Sequence, residues 1–568
     1  MKSMLVLVTG MLASAAMAGF ELGSPFTDGM VLQRDTAVNV WGSAAPGAAV
    51  SVSFAGKTAR GKAGADGRWR VKLPALKASK ESRKLVASCG KEKLTVSDVL
   101  VGEVWLASGQ SNMDCPLVGN SPRYRDRQGS LVAQMTRKPY VRFARSTGGW
   151  KREPLAKSQN PIVWKAFTPE NLMSGSSCSA VAAYFALDLH SALDVPIGLL
   201  CAYIGGTNID AWTPKEGTAS RPDLKDVAAW TYYDNSNWPT NFNTYPWKAP
   251  TQQPAVLWNG LVAPLAPYSC RGMIWYQGCH NFPNGEWQRY CSKMHALFDG
   301  WKLKFENPDF VIRFVQLGTG FSTLCQQQAQ FEREEPAAAM AVICDVANKD
   351  DIHPNEKATV AHRLAAHALR RDYGFKDIQD NSPSVRSVAA EGTNLVVVCR
   401  DAKSLYVYND DRSLANNFEI AGADGKWKRA TIVNAVPAKK PGGGVNTDGG
   451  QIRDPNRIVL CADGIAAPAS ASIVIAVILF IRLFLSYEPQ IEILSAEDEV
   501  HRTEKTNRRR GVVPGNRLLH NQNRERHERQ KRDRLLRDLE LLEGHRLRTH
   551  PIRRNRKAVL EKRDRPRD

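Results

Sequence analysis

Val99-Leu100-Val101-Gly102-Glu103-Val104-Trp105-Leu106-Ala107, continuing through Ser108 into Gly109-Gln110-Ser111-Asn112-Met113, is the stretch that decides how the chain is read. Its first nine residues are almost continuously apolar, as a strand covered on both faces requires. Four further runs share that character: Pro196 to Tyr203, Gly272 to Gln277, Phe310 to Leu317 and Met340 to Val346. Ser179 to Leu193 and Pro354 to Leu369 instead show helical apolar spacing, and they connect or follow such runs. Strands alternating with helices predict an α/β domain with a doubly wound parallel sheet, over about residues 98–381. In such sheets ligands collect at the carboxyl ends of the strands, so the loops that follow the five runs are the places to look for chemistry.

On either side of this block the pattern changes. From residue 19 to 97 short alternating segments such as Ala37 to Trp41 and Val50 to Phe54 are separated by Pro46-Gly47 and Gly64-Ala65-Asp66-Gly67, which predicts a β-rich N-terminal domain. From 382 to 468, Asn394 to Cys399, Ser404 to Tyr408 and Ala430 to Val433 predict an accessory β-rich segment. At the beginning, Lys2, the apolar run Met4 to Met17 and Ala16-Met17-Ala18 have the order of a cleaved signal peptide over residues 1–18, so the expected location is secreted or periplasmic.

The net charge of +20 is not spread evenly. Residues 501–568 hold 19 Arg and 4 Lys against 10 acidic residues, a net +13, which leaves +7 for the other 500. Nucleic acid is therefore not an expected partner of the folded part. Ser472 to Leu485 is strongly apolar, but it is shorter than the roughly 20 residues a membrane helix needs and Arg482 interrupts it. Membrane contact is expected only through this stretch, and residues 469–568 are expected to be a disordered extension or a shifted reading frame, dispensable for chemistry. The eleven cysteines are an odd number without zinc-like spacing. At least one thiol is expected to be unpaired, with Cys344 and Cys399, at the ends of apolar runs, as buried core residues.

Ser111 follows the first run directly, where a hydroxyl at a strand end projects into the ligand crevice. Met113 stands where the G-x-S-x-G elbow has glycine, which disfavours an α/β-hydrolase. A serine hydroxyl needs a neighbouring base, and Asp350-Asp351-Ile352-His353-Pro354, after the last run, supplies a histidine with two carboxylates able to orient it. The plain alternative is an acidic helix N-terminus. Gly205-Gly206-Thr207-Asn208 offers backbone N–H groups to a developing oxyanion, and Gln277-Gly278 offers a side-chain amide, with Asn281 beside it as a further polar group.

These residues together resemble a known family. Val99 to Met113, Pro196 to Thr207 with Ala211-Trp212, Leu257 to Leu265, Met273 to Gly278, and Asp351 to Lys357 with Arg363-Leu364-Ala365 are similar, in the same order, to the sialate O-acetylesterase family of SGNH hydrolases. Ser24 to Asp35 is similar to that family's N-terminal β-domain, so the resemblance covers about residues 20–465. It implies an SGNH-type, flavodoxin-like catalytic fold and a Ser-His esterase that removes O-acetyl groups from sugars or glycans, with no metal or organic cofactor. It also implies Ser111 as nucleophile, the Ser111 and Gly206 amides as oxyanion donors, Gln277 as a site-shaping polar group and His353 as base. Trp105, Trp212, Trp275 and Tyr276 are expected either as a sugar-stacking wall or as core.

Two departures bear on this reading. Cys279 stands where the family pattern has Glu, and after Ala462 to Ala469 the family's closing strand around Arg-Tyr-x-Trp is missing. The first leaves a rival, a catalytically impaired carbohydrate-binding relative. An acetylxylan esterase is a further alternative, since the sequence does not choose among acetylated sugars or between Asp350 and Asp351.

Overall fold

The computed structural model describes residues 19–462 except 120–125, 175–177, 233–249, 319–320, 345, 348–350, 381–383, 401–405, 408–418, 422–426, 440–444, 453 and 455. The expectations for residues 1–18, Ser472 to Leu485, the basic tail and Asp350 lie outside the described residues.

Eight strands come first: β1 (Glu21–Leu22), β2 (Val31–Gln33), β3 (Val38–Ser43), β4 (Ala49–Phe54), β5 (Lys57–Lys62), β6 (Arg68–Leu73), β7 (Ser79–Cys89) and β8 (Glu92–Gly109). Period-two alternation makes β4 and β6 one-faced. In β6, Arg68, Arg70 and Lys72 meet water while Trp69, Val71 and Leu73 are buried. β8 belongs to two structures at once. Its first half pairs antiparallel with β7, and Glu103 to Gly109 pair in parallel with β11. Position 97, where the sequence suggests a boundary, thus falls inside a strand that runs from the leader into the catalytic sheet.

That sheet adds β9 (Lys138–Arg145), β10 (Lys165–Phe167), β11 (Ile197–Tyr203), β12 (Gly272–Tyr276), β13 (Val311–Val315) and β14 (Ala338–Ala341). The strand order is β10-β9-β11-β8-β12-β13-β14, parallel from β9 to β14 with β10 antiparallel at the edge. The five runs read from the sequence occupy β11-β8-β12-β13-β14, the doubly wound order in which the first strand sits at the switch point. β11 and β12 are buried along their whole length, which explains their unbroken apolar character.

β9 is the strand the sequence hides, because Arg142 interrupts its apolar stretch. Arg142 is nevertheless buried; its guanidinium donates to the carbonyl oxygens of Gly29 (2.7 Å) and Asp98 (2.6 Å) and to Asp98 Oδ1 (3.1 Å). The leader thus supplies the acceptors that let this strand be buried.

The helices are α1 (Ser111–Asp114), α2 (Gly129–Met135), α3 (Pro169–Met173), α4 (Ala180–Leu193), α5 (Lys215–Ala219), α6 (Lys225–Ala228), α7 (Tyr290–Lys304), α8 (Ser322–Glu334) and α9 (Lys357–Asp372). α4 packs on α9, and α7 on α8. Ser179 caps α4, its Oγ accepting from the Ala182 N–H at 3.2 Å. α9 begins three residues after Pro354, where its apolar spacing suggested a start. Residues 352–356 bend instead, and the Lys357 N–H finds its acceptor in Asp126 Oδ1 at 3.2 Å, on a distant loop.

Glu103 ties the parts together. It is fully buried and accepts from Arg34 Nε (2.5 Å), Gln33 Nε2 (3.0 Å) and Tyr373 Oη (2.9 Å), with Arg271 Nε at 3.5 Å. Removing one partner of such a buried charge costs about 3–5 kcal/mol, so this carboxylate fixes the leader and the end of α9 to the central strand.

Beyond α9, Ser384–Glu391, Asn394–Arg400, Arg457–Cys461 and Thr431–Ile432 form a four-stranded sheet in that order. None of the eleven cysteines is in a disulfide; Cys399 is buried, as expected, whereas Cys344, past the end of β14, is only half-buried. Among the described residues no helix is long and apolar enough to cross a membrane.

Candidate active site

The site is built at the carboxyl end of β8. Gly109 has φ +143°, and a Cβ there would lie 2.2 Å from the Tyr276 carbonyl oxygen, so only glycine lets the chain turn out of β8 against β12. The Gln110 N–H donates to that same carbonyl at 3.1 Å, and Ser111 opens α1. The turn is tethered at Asn112 and at Asp114. Asn112 Nδ2 donates to the Ile352 carbonyl (2.9 Å) and its Oδ1 accepts from Lys357 Nζ. Asp114 accepts from Arg145 Nη2 (2.8 Å) and from the Gly205 N–H (3.3 Å).

His353 reaches this turn from the loop before α9. Its Nε2 lies 2.9 Å from Ser111 Oγ, and its Nδ1 lies 3.2 Å from Asp351 Oδ1. The same carboxylate oxygen accepts the backbone N–H of His353 at 3.0 Å, so Asp351 fixes both the loop and the ring. With the proton on Nδ1 facing Asp351, Nε2 presents a lone pair to the serine hydroxyl. The histidine and aspartate side chains are 25% and 18% exposed, open enough for substrate and for water. Ser111, His353 and Asp351 are therefore brought together.

The other expected residues divide. The Gly205 amide is committed to Asp114, which corrects its expected availability to an oxyanion. Gly205 instead lets the loop lie close to the serine: a Cβ there would sit 3.5 Å from Ser111 Cβ. Gly206 has φ +71° with open space on its Cβ side, and its carbonyl accepts from Gln252 Nε2 at 3.1 Å. Gln277 is corrected more strongly. It is fully buried; its Nε2 faces Gln110 Oε1 (3.1 Å), the Thr207 carbonyl (3.0 Å) and Asn281 Oδ1 (2.7 Å), while its Oε1 accepts from Tyr290 Oη (2.7 Å). Its amide is spent joining four segments beneath the site. Asn281 Oδ1 also accepts the Ile209 N–H at 3.0 Å, and its buried Nδ2 has no acceptor among the described residues. Trp105, Trp212, Trp275 and Tyr276 are all fully buried, which places them in the core rather than in a sugar-stacking wall.

Cys279 is buried beside this network, and burial pushes its thiol up to about 12, so it is a neutral group at ordinary pH. Lys357 is also wholly buried. Burial pulls its ammonium down to about 8 against the opposing influence of Cys115, Cys279, Asp126 and Asp351. The roles of Gln110, Asn112 and Lys357 were missed although the quoted motifs contain all three, because a tether is visible only when its distant partner is known. Tyr290 and Asp126 carry no sequence signal at all.

Residues 101–370 match the family described as carbohydrate esterase, sialic acid-specific acetylesterase. The sialate O-acetylesterase of Rattus norvegicus is 27% identical over 485 residues, covering 76% of this chain and 88% of its own. That of Homo sapiens is 29% identical over 414 residues, covering 64% and 73%. A solved carbohydrate acetylesterase from Xanthomonas citri superposes with a TM-score of 0.64 at 29% identity, over 79% of this chain and 92% of its own. Over residues 101–370 this chain is thus similar to the sialic acid-specific acetylesterase family of carbohydrate esterases.

Proposed function

We propose that this carbohydrate O-acetylesterase works by a Ser111–His353–Asp351 relay. The observation that carries the reading is the 2.9 Å contact between His353 Nε2 and Ser111 Oγ, with Asp351 on the opposite ring nitrogen. His353 takes the hydroxyl proton as Ser111 attacks the acetyl carbonyl. The tetrahedral oxyanion is held by the amides of Ser111 and Gly206. His353 then returns the proton to the departing sugar hydroxyl. Water, activated by the same histidine, releases acetate from the serine ester. Asp351 keeps the imidazole in the required tautomer and stabilises its charge when it forms.

The acetyl donor we propose is an O-acetylated sialic acid or a related acetylated glycan, on the strength of the sialate O-acetylesterases among the relatives. The rival reading, a binding protein that has lost turnover, draws on Cys279 alone. Asp351 answers it, because the carboxylate the histidine needs is supplied from its own loop. Assay of the protein on 9-O-acetyl sialic acid and acetylated xylan side by side, with Ser111→Ala as control, tests both points. Activity on the first substrate and not the second supports the sialate reading, the reverse supports an acetylxylan esterase, and no activity on any acetyl ester refutes the relay.

A further inference from the structure

Outside the esterase site, α7 and α8 bring together three side chains of the kinds that bind transition metals. Cys291 and His295 stand four residues apart on α7, one turn above the other on the same face. Glu334 closes α8, the helix that packs against them. Its Oε2 lies 3.4 Å from Cys291 Sγ and 3.0 Å from His295 Nε2, and the three ligand atoms all fall within 4.8 Å of one another. Around a tetrahedral zinc ion, bond lengths of about 2.0 Å to N and O and about 2.3 Å to S place ligand atoms roughly 3.3–3.5 Å apart. Two of the three separations are already close to that range.

We infer that Cys291, His295 and Glu334 form a binding site for a divalent transition metal of the zinc class. A thiolate, a neutral imidazole and a carboxylate together neutralise the charge of such an ion, and three protein ligands leave a fourth position for water. Binding replaces two hydrogen bonds that now converge on Glu334: the Cys291 thiol gives its proton to solvent, and the imidazole turns its Nε2 lone pair to the metal. The supporting contacts are in place. Phe331 packs edge-on against the His295 ring with centroids 4.8 Å apart, Gln330 Nε2 holds the other Glu334 oxygen at 2.8 Å, and the Cys291 N–H donates to Gln327 Oε1 at 3.3 Å. Cys291 is buried while the Glu334 side chain is 47% exposed, so the ion has a path in from solvent. Arg221 and Arg333 lie near the thiol and oppose a cation, which makes both anionic ligands necessary.

The test uses the full chain, reduced and stripped of metal, titrated with Co²⁺ and Zn²⁺ beside Cys291→Ser, His295→Ala and Glu334→Gln. The expected result is a cobalt–thiolate charge-transfer band in the parent that Zn²⁺ abolishes and that Cys291→Ser lacks. Zinc affinity should fall at least about tenfold in His295→Ala and in Glu334→Gln, and zinc should raise the melting temperature of the parent more than that of any variant. Esterase activity and near-UV circular dichroism like the parent's show that a variant has lost metal rather than fold, and Glu334→Gln, at a partly exposed helix end, keeps the test open if a buried substitution fails to fold. Absence of the thiolate band in the parent overturns the inference. So does a band of equal strength in Cys291→Ser, because it would put the metal on other thiols.

Discussion

The two sides of the site differ in kind. At the end of β8 and before α9, Ser111, His353 and Asp351 are partly exposed and joined in a chain through which a proton can move. Around the end of β12, Gln277 and Asn281, with Gln110 from the turn after β8 and Tyr290 from the start of α7, are buried and joined by neutral amide and hydroxyl contacts. In the relay proposed above, the first side does the chemistry and the second holds the loops that frame it. The two quoted motifs look equally polar as sequence, and only burial separates a reacting group from a scaffold.

The largest expected effect lies on the exposed side. Ser111→Ala and His353→Ala should each lower kcat by on the order of 10³ or more on an acetyl ester while melting like the parent. Near-normal turnover by a folded Ser111→Ala protein would break the division at its centre. Asp351→Asn comes next, with a loss of about 10³- to 10⁴-fold, because an amide can donate to Nδ1 and favour the wrong tautomer. A loss of less than tenfold would mean that another group orients the ring.

On the buried side the effect should appear as stability. Gln277→Leu leaves the Tyr290 hydroxyl and the Thr207 carbonyl without this partner, at a cost of about 2–4 kcal/mol in chemical denaturation. A variant of unchanged stability whose kcat alone collapses would move Gln277 to the reacting side.

Lys357 gives a prediction in pH. Its folded pKa, about 8, lies below its ordinary 10.5, so between these values the unfolded chain binds more protons and stability must rise with pH. Below pH 8 the full cost of burying the ammonium is present. Any stability advantage of Lys357→Met over the parent should therefore shrink as pH rises from 8 to 10.5, and an advantage that stays constant would contradict the assignment. Cys279→Glu should act on the same lysine, by placing a carboxylate beside it and flattening this dependence. Its effect on kcat is expected to be the smallest, under about tenfold, since Asp351 already serves His353. Strong acceleration would show that the residue at 279 is the orienting acid after all.

What the sequence makes legible follows from what leaves a local trace. The five central strands are covered on both faces and advertise this as apolar runs; Ser111 and His353 sit beside them in motifs whose chemistry is recognisable. β9 escapes because the acceptors of Arg142 come from Gly29 and Asp98, far away in the chain. The start of α9 escapes for a similar reason, since Asp126 accepts its first N–H. Gln277 and the four aromatics carry the right chemistry for a site, and only their burial shows where that chemistry is spent. Asp351 contacts the ring of His353 through a bend of their shared loop, a geometry that spacing alone does not give.

The central claim is that an acetyl group passes through Ser111. Rapid acid quench during turnover of an activated aryl acetate, whose good leaving group makes acylation fast relative to deacylation, followed by peptide mass spectrometry, reads this directly. The account predicts an acetyl adduct on the peptide containing Ser111 and none in the Ser111→Ala protein. Sustained turnover with no adduct there, or with the acetyl group on another residue, would contradict it.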